Sequence, residues 1–387
     1  MVAIDNVAFV TVVTHDHLHF ALALRASLTE HHPDKKLFVC VADMASPSSD
    51  VECDTITLLS PVQFAIPQWR RFAFQYSPLE LSCALKPFIL EYVAGLGYNK
   101  LVYLDADIQL YSSLDEVFRL LDIYSLLLTP HVTQDFPDDG CKPTLAILRN
   151  AGIYNAGFVA LRTTATGSRF IRWWKERCYK HCIVDLRGGF HVDQAWLDFV
   201  PAMFEGVCIV KNNGWNVGFW NLLHRPIHID LNGNYRVLDE RLSFFHFSGF
   251  DPDFPSVLSK YQDRLDLRDY AVVQRMVLAY TCRLDEVGRR EYESHGYQFS
   301  TLSDGTTIQP KWREAVRLED MRLAGIDDPF DASANPGLRR ALTLAAMDVL
   351  EARLDWHQRT AVAIGCLVEK VPGIGWMYKM IRVLCEK

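Results

Sequence analysis

No stretch of the 387-residue chain reaches the roughly 18 to 20 consecutive apolar residues that a membrane-spanning helix needs, so any membrane contact is expected to be peripheral. The ten cysteines lack both the paired CxxC spacing of zinc sites and a compact disulfide pattern, which points to reduced thiols in a cytoplasmic protein. Cys178 and Cys182 flank His181 on the helix-like segment FIRWWKERCYKHC, but no second cluster accompanies them, and they read as ordinary thiols. Positive charge is not in excess. The net charge is −7, and nothing in the totals suggests a nucleic-acid partner. The opening segment MVAIDNVAFVTVVT has no basic leader and carries Asp5 ahead of its apolar run, so a signal peptide is not expected. Neither GxGxxG nor GxxxxGK followed by Ser or Thr comes after the first strand-like segment, which argues against a dinucleotide-dependent dehydrogenase and a P-loop enzyme. Internal repeats and low-complexity tracts are also lacking.

What the chain does have is 49% hydrophobic and 12% aromatic residues, enough for a large core and a second, smaller unit. VAFVTVVT is a continuous apolar run suited to a strand buried on both faces, HFALALRASLTEHH has helical periodicity, and KLFVCVAD reads as the next strand. That order implies parallel α/β layering with a right-handed crossover. ALKPFILEYVAGLGYNK reads as a helix ending near Gly95 to Gly97, followed by the strand LVYLDAD.

This strand ends in Asp105 and Asp107, which as positions i and i+2 of an extended chain point to one side. Two carboxylates so close repel unless they share a proton, reach water or hold a cation. Their place at a strand's carboxyl end matters, because open α/β sheets bind ligands in the crevice there. The helix SSLDEVFRLL follows, with Ser112 or Ser113 expected as N-cap and Asp115 and Glu116 in its first turn. Further on, GIYNAGFVALR reads as strand with a tight turn, and FIRWWKERC and HVDQAWLDFVPAMF as helices. KNNGWNVGFWNL is rich in Asn, Gly and aromatics, and LSFFHFSGFDPDFPSVLSKYQ contains a strand ending at His246. Beyond about Leu265 the chain is mostly helical, apart from an Asp304-Gly305 turn between short β-like runs.

Two Asp at the tip of an apolar strand also mark haloacid dehalogenase-type phosphatases, whose signature is DxDx followed by Thr or Val. Here Gln109 takes the fifth position, and two βα units precede the motif. The ordered set VTVVTHDH, ALKPFILEYV, YLDADIQLYSSLDEVF, YNAGFVAL with HVDQAWLD, and FHFSG instead resembles the GT-A fold glycosyltransferases of the glycogenin-like and lipopolysaccharide galactosyltransferase-like family 8, and bacterial polysaccharide enzymes allied to them. The resemblance spans about residues 5 to 265. It implies an α/β GT-A catalytic domain over 1–265, a Rossmann-like mixed sheet with flanking helices, and a mainly helical extension over 266–387.

The resemblance further implies hexose transfer from a nucleotide-diphosphate sugar, UDP in the first instance, to a glycan or lipid-linked glycan acceptor in bacterial surface polysaccharide synthesis, with retention of configuration and Mn²⁺ or Mg²⁺ as cofactor. It places Thr14 and Asp16 beside the nucleoside, Lys86 at the donor phosphate or sugar, and Asp105 and Asp107 at the cation. Asn155 and Gly157, with Asp193 and Gln194 as the catalytic candidates, fall where the family reads the donor sugar. His246 becomes the third metal ligand, and Gly249 completes its motif. One departure stands out: HxxGxxK would need Lys at 252, where this chain has Pro252, leaving Lys260 or Lys211 as candidate phosphate cations. An inverting enzyme would need a carboxylate base, for which Asp193 or Asp251 would serve.

Plainer readings stand beside these. His15, His17 and His19 imitate a metal site but read as solvent or nucleotide contacts, and Asp16 as a helix cap. Asn155 and Gly157 read as a strand turn, and Asp193 as an N-cap. Trp173 and Trp174 read as core and interface aromatics, whereas Trp215, Phe219 and Trp220 stand open between core packing and stacking on an acceptor sugar. The basic, apolar tail from Thr360 onward is read as core packing or as a peripheral contact at the inner face of the membrane; oligomerisation is left open. A phosphatase and a catalytically silent glycan-binding scaffold are the alternatives.

Overall fold

A computed structural model describes residues 6–45, 52–53 and 55–353. The chain divides into two compact units, with the boundary between Phe299 and Ser300. The first thus runs past the 265/266 boundary expected from sequence. Its extra helix Ala271–Glu286 is tied in by Tyr280, which stacks on Phe247 with ring centroids 4.0 Å apart and also meets Phe250.

The first unit is built on an eight-stranded mixed sheet, in the order Val207–Ile209, Leu126–Pro130, Tyr154–Arg162, Lys100–Leu104, Val7–Val13, Lys36–Val41, Ile56–Leu59 and Glu52–Cys53. All seven residues of Val7–Val13 and all five of Lys100–Leu104 are buried, as strands covered by helices on both faces require. This is the α/β architecture, a mixed sheet with flanking helices, that the ordered motifs implied.

Two departures from parallel pairing create the site. Tyr154–Arg162 runs antiparallel between Lys100–Leu104 and Leu126–Pro130, with Phe158 opposite Leu104 and Tyr154 opposite Pro130. Its amino-terminal end therefore lies among the carboxyl ends of its neighbours. The second is Phe244–His246, which pairs antiparallel with Ile108–Leu110 and sets His246 opposite Ile108.

The helix Pro78–Gly95 packs beside this region. Ser77 caps it, accepting from Glu80 N while the Glu80 carboxylate accepts from Ser77 N, and Pro78 suits a first turn that needs no N–H. Two local expectations change. Leu114 occupies the N-cap of Asp115–Ile123, with the Ser113 hydroxyl accepting from Asp115 N. HVDQAWLDFVPAMF is a short strand Phe190–His191, a 3-10 turn Ala195–Phe199 and a single turn Val200–Met203, because Val192 adopts a left-handed φ of 45° that interrupts helix.

In the second unit the Asp304-Gly305 turn joins residues bridged at Thr301 and Thr307, with Asp304 accepting from Thr306 N. The helices Pro310–Arg317 and Leu338–Arg353 belong to this unit. The basic tail lies outside the described residues, among which no helix is long and apolar enough to cross a membrane.

Candidate functional site

Asp105 follows the last residue of its strand and starts a tight turn closed by Ile108 N donating to Asp105 O at 3.1 Å. The Asp105 Oδ1 accepts from the Tyr103 hydroxyl at 2.8 Å and lies 3.0 Å from Lys86 Nζ. Lys86 also lies 3.2 Å from Asp193 Oδ2 and donates to Ala156 O. Its side chain is 4% exposed. Burial would lower the ammonium's pKa, but Asp105 and Asp193 hold it well above the ordinary lysine range. Asp193 is 1% exposed, and its carboxyl is pushed up by burial against the opposing pull of Lys86.

On the other side, His246 Nε2 lies 2.9 Å from Asp107 Oδ1 and 3.8 Å from Asp105 Oδ2. The three side chains offer ligand atoms within 4.8 Å of one another, and no other group of three His, Cys, Asp or Glu does so among the described residues. Both carboxylates keep about a third of their surface open while the imidazole is buried. Burial would raise the Asp107 pKa, and the facing imidazole more than reverses this. Burial would likewise depress His246, and Asp107 more than reverses that.

Gly157 and Asn155 line the floor. A Cβ on Gly157 would fall 2.3 Å from His246 Cε1, so a hydrogen there is what admits the imidazole ring. Gly157 O accepts from Asp105 N at 2.8 Å, which joins the two strands at the site. Gln194 spans this wall, its Oε1 accepting from Ala156 N and its Nε2 donating to Ala151 O. Gly249 has a φ of +70°, and a Cβ there would meet the Tyr261 ring at 2.5 Å; the turn after His246 needs glycine on both counts.

Thr14 and Asp16 sit together where the first strand ends. The buried Thr14 hydroxyl donates to Asp16 Oδ1, and His17 Nδ1 lies 2.9 Å from the same oxygen. The sequence reading passed over Asp43 here. Fully buried at the end of the second strand, it accepts from His15 N and Gln298 N. An Asp at a strand's carboxyl end was the available signal. His15, His17 and His19 do not gather into a metal site; His19 is buried and held neutral, at about 4, by desolvation.

Trp215 and Trp220 are each 2% exposed, which settles the stacking question against them. Trp215 packs on Phe158 and Phe244, and Trp220 stands edge-on to His131 and His246. Trp174 is core, as expected. Beside His131 a cleft of about 440 Å³ opens, lined by Leu145, Ile153 and Arg149 among others.

No family model matches the chain. It is 25% identical over 251 residues to the uncharacterized protein YfnF of Bacillus subtilis, covering 63% of this chain and 81% of that one. A second Bacillus subtilis protein, YfnD, is 25% identical over 248 residues, 62% of this chain and 77% of its own. Among solved structures, the galactosyltransferase LgtC in complex with donor and acceptor sugar analogs aligns over 79% of this chain and 99% of its own, at 16% identity and a TM-score of 0.41. The glycosyltransferase GlyE of Streptococcus pneumoniae aligns over 74% of this chain and 64% of its own, at 15% identity and a TM-score of 0.39.

Proposed function

We propose that the chain is a divalent-metal-dependent glycosyltransferase that moves a hexose from a nucleotide-diphosphate sugar, UDP in the first instance, to a glycan or lipid-linked glycan acceptor of a bacterial surface polysaccharide. The observation that carries this reading is the convergence of Asp105 and Asp107 with His246, about 140 residues further along the chain, at the carboxyl end of a mixed sheet. Two carboxylate oxygens and one imidazole nitrogen suit a divalent cation, and the nitrogen favours Mn²⁺ over Mg²⁺. When bound, the cation offsets the charge of the diphosphate and eases its departure.

In the reaction, the bond from the anomeric carbon to the diphosphate oxygen breaks, one to the acceptor hydroxyl oxygen forms, and the hydroxyl proton is released. Thr14 and Asp16 take the nucleoside side, at the end of the neighbouring strand. Lys86 holds Oδ1 of Asp105, which leaves Oδ2 on the His246 side, and its second partner Asp193 is held beside the donor sugar. Gln194 and Asn155 spend their amides within the protein, so they act on the sugar by holding the wall formed by residues 154–157 in place. Retention of configuration, with Asp193 and Gln194 next to the anomeric carbon, fits a site in which Asp193 is buried on a lysine rather than open to the acceptor.

A panel of nucleotide-sugars with Mn²⁺, read by thermal shift and then by donor hydrolysis, tests this proposal. Asp107→Ala should abolish most turnover and leave the melting temperature nearly unchanged; near-normal turnover by that variant would refute it. Hydrolysis of simple phosphomonoesters would favour a phosphatase, and silence on every donor a glycan-binding scaffold.

A further inference from the structure

We infer that the face of the first unit around the cleft beside His131 docks on an anionic membrane surface, so that the cleft opens toward an acceptor carried on a lipid. The inference rests on the glycosyl-transfer reading only in preferring a lipid-carried acceptor to a free one. Docking itself is measured with neither donor nor cation present.

Six large apolar side chains stand open here. Leu145, Ile153, Val184, Leu186, Phe199 and Met203 each leave between 42% and 54% of their surface exposed. They come from three segments that contacts join into one face. Leu145 and Ile153 line the cleft together. Ile153 N donates to Asp198 Oδ1 at 2.7 Å, and Phe199 is the next residue. Trp196 links Phe199 to the hairpin of Val184–Asp185 and Phe190–His191, its ring centroid 6.4 Å from that of Phe199 and 5.9 Å from that of Phe190. Trp173 meets both Trp196 and Phe204, and Phe204 follows Met203. Single apolar residues on a surface need no explanation, but a contiguous patch marks an interaction site.

The charges on this face select the partner. Arg149 lines the cleft, Arg187 lies between the two strands of the hairpin, and the Arg169 guanidinium sits 4.8 Å from the centroid of Phe204. None of the three has a carboxylate partner among the described residues. The acids nearby are engaged within the chain: Asp198 accepts from Ile153 N, Asp185 from Gly188 N, and Glu176 lies 3.8 Å from Arg177. Glu205 stays exposed beyond Met203, and Lys211 and Asp135, which line the adjoining cleft, offset each other in charge.

A two-fold contact between copies of the chain would bring this patch onto itself and set arginine against arginine. A bilayer with acidic head groups suits it better, because aromatic and aliphatic side chains enter the interface while arginines meet the lipid charge. The face also adjoins the candidate site, since the strand Phe190–His191 runs on through Val192 to Asp193 and Gln194.

The test uses the full-length chain. In sedimentation assays it should bind phosphatidylglycerol vesicles at least about 10-fold more tightly than phosphatidylcholine vesicles, and less tightly as salt is added. Hydroxyl-radical footprinting, which labels exposed side chains, locates the contact. On vesicles Leu186, Phe199 and Met203 should lose most of their labelling, while Ile123, 74% exposed at the opposite, amino end of the strand Leu126–Pro130, should keep its own. Leu186→Ser/Phe199→Ser and Arg149→Gln/Arg187→Gln should each lower vesicle affinity about 10-fold or more. Their melting temperatures should not change, because all four side chains are exposed. Wild-type affinity in either double variant, or protection confined to residues beyond Arg353, would place the membrane contact elsewhere and overturn the inference. Equal binding to both lipids, or no binding, would overturn it too. So would side chains of this face that are already unlabelled in the free protein, since a second copy or another part of the chain would then cover them. None of these outcomes bears on glycosyl transfer, which donor hydrolysis reads separately.

Discussion

Replacing Lys86 by Met removes the cation between Asp105 and Asp193 while keeping an unbranched apolar stem. The two carboxylates then fare differently. Asp105 has about a third of its side chain open to water and a second partner in the Tyr103 hydroxyl, whereas Asp193 is 1% exposed and keeps only the weak thiol donor of Cys83. Breaking a buried ion pair from one side costs about 3–5 kcal/mol, because the remaining charge is uncompensated. The protein's alternative is to protonate Asp193, whose carboxyl burial already pushes upward.

The sign of the pH dependence follows. A carboxyl with a folded-state pKa above its unfolded value of about 3.9 binds more protons when folded, so stability falls as pH rises through that window, by up to about 1.4 kcal/mol per pH unit. The deficit of Lys86→Met should therefore be small near pH 5 and approach its full value at pH 8. Denaturant midpoints followed by tryptophan fluorescence, for wild type and variant across that range, measure it. Lys86→Met/Asp193→Asn should recover at least half of the loss. A deficit below about 1 kcal/mol at pH 8, a deficit independent of pH, or a double variant no better than the single would refute the view of Lys86 as the counter-charge that permits Asp193 to be buried.

Gly157→Ala puts a methyl group where the His246 ring sits, so Mn²⁺ affinity should drop at least about 10-fold with a stability loss of about 1–3 kcal/mol; isothermal titration that finds wild-type affinity would show that the ring has room elsewhere. Because Asp107 raises the His246 pKa, protons compete with the cation from a pH somewhat above the usual histidine value of about 6.5, and Mn²⁺ affinity should climb as pH rises through that range. The same shift makes His246 a stabilising group in the cation-free protein below about pH 6.5, a contribution lost as pH rises through its folded value. His131 behaves oppositely: desolvation holds it at about 4, so between about pH 6.5 and 4 the unfolded chain takes up a proton that the fold refuses. Stability should decline over that interval by up to about 3 kcal/mol from this residue, and a His131→Gln variant with an unchanged acid limb would contradict it.

How much of this was legible beforehand depends on distance along the chain. Apolar runs and helical periodicity mark VAFVTVVT, KLFVCVAD and LVYLDAD as strands and ALKPFILEYV as helix, since each pattern reports a face to be buried within a few residues. The spacing of Asp105 and Asp107 likewise pointed to a shared target, but through an extended chain, whereas the two lie in a tight turn just after the strand ends at Leu104. The motif order added the expectation that His246 joins them.

Other features had no local mark. Lys86 is one lysine in an apolar helix, and nothing nearby says that its partners are Asp105 and Asp193, the latter 107 positions away. The reversed insertion of Tyr154–Arg162, the antiparallel pairing of Phe244–His246 and the burial of Trp215 and Trp220 all arise from pairings between distant segments. A strand's side-chain alternation is the same whichever neighbour it takes, and a buried tryptophan looks in sequence like an exposed one. The sequence by itself therefore determined most of the strands and helices, though not the stretch from His191 to Phe204, and which carboxylates would meet at a strand's end. Only the tertiary structure decided which buried charge neutralises which, because those choices depend on how distant segments pack around buried polar groups.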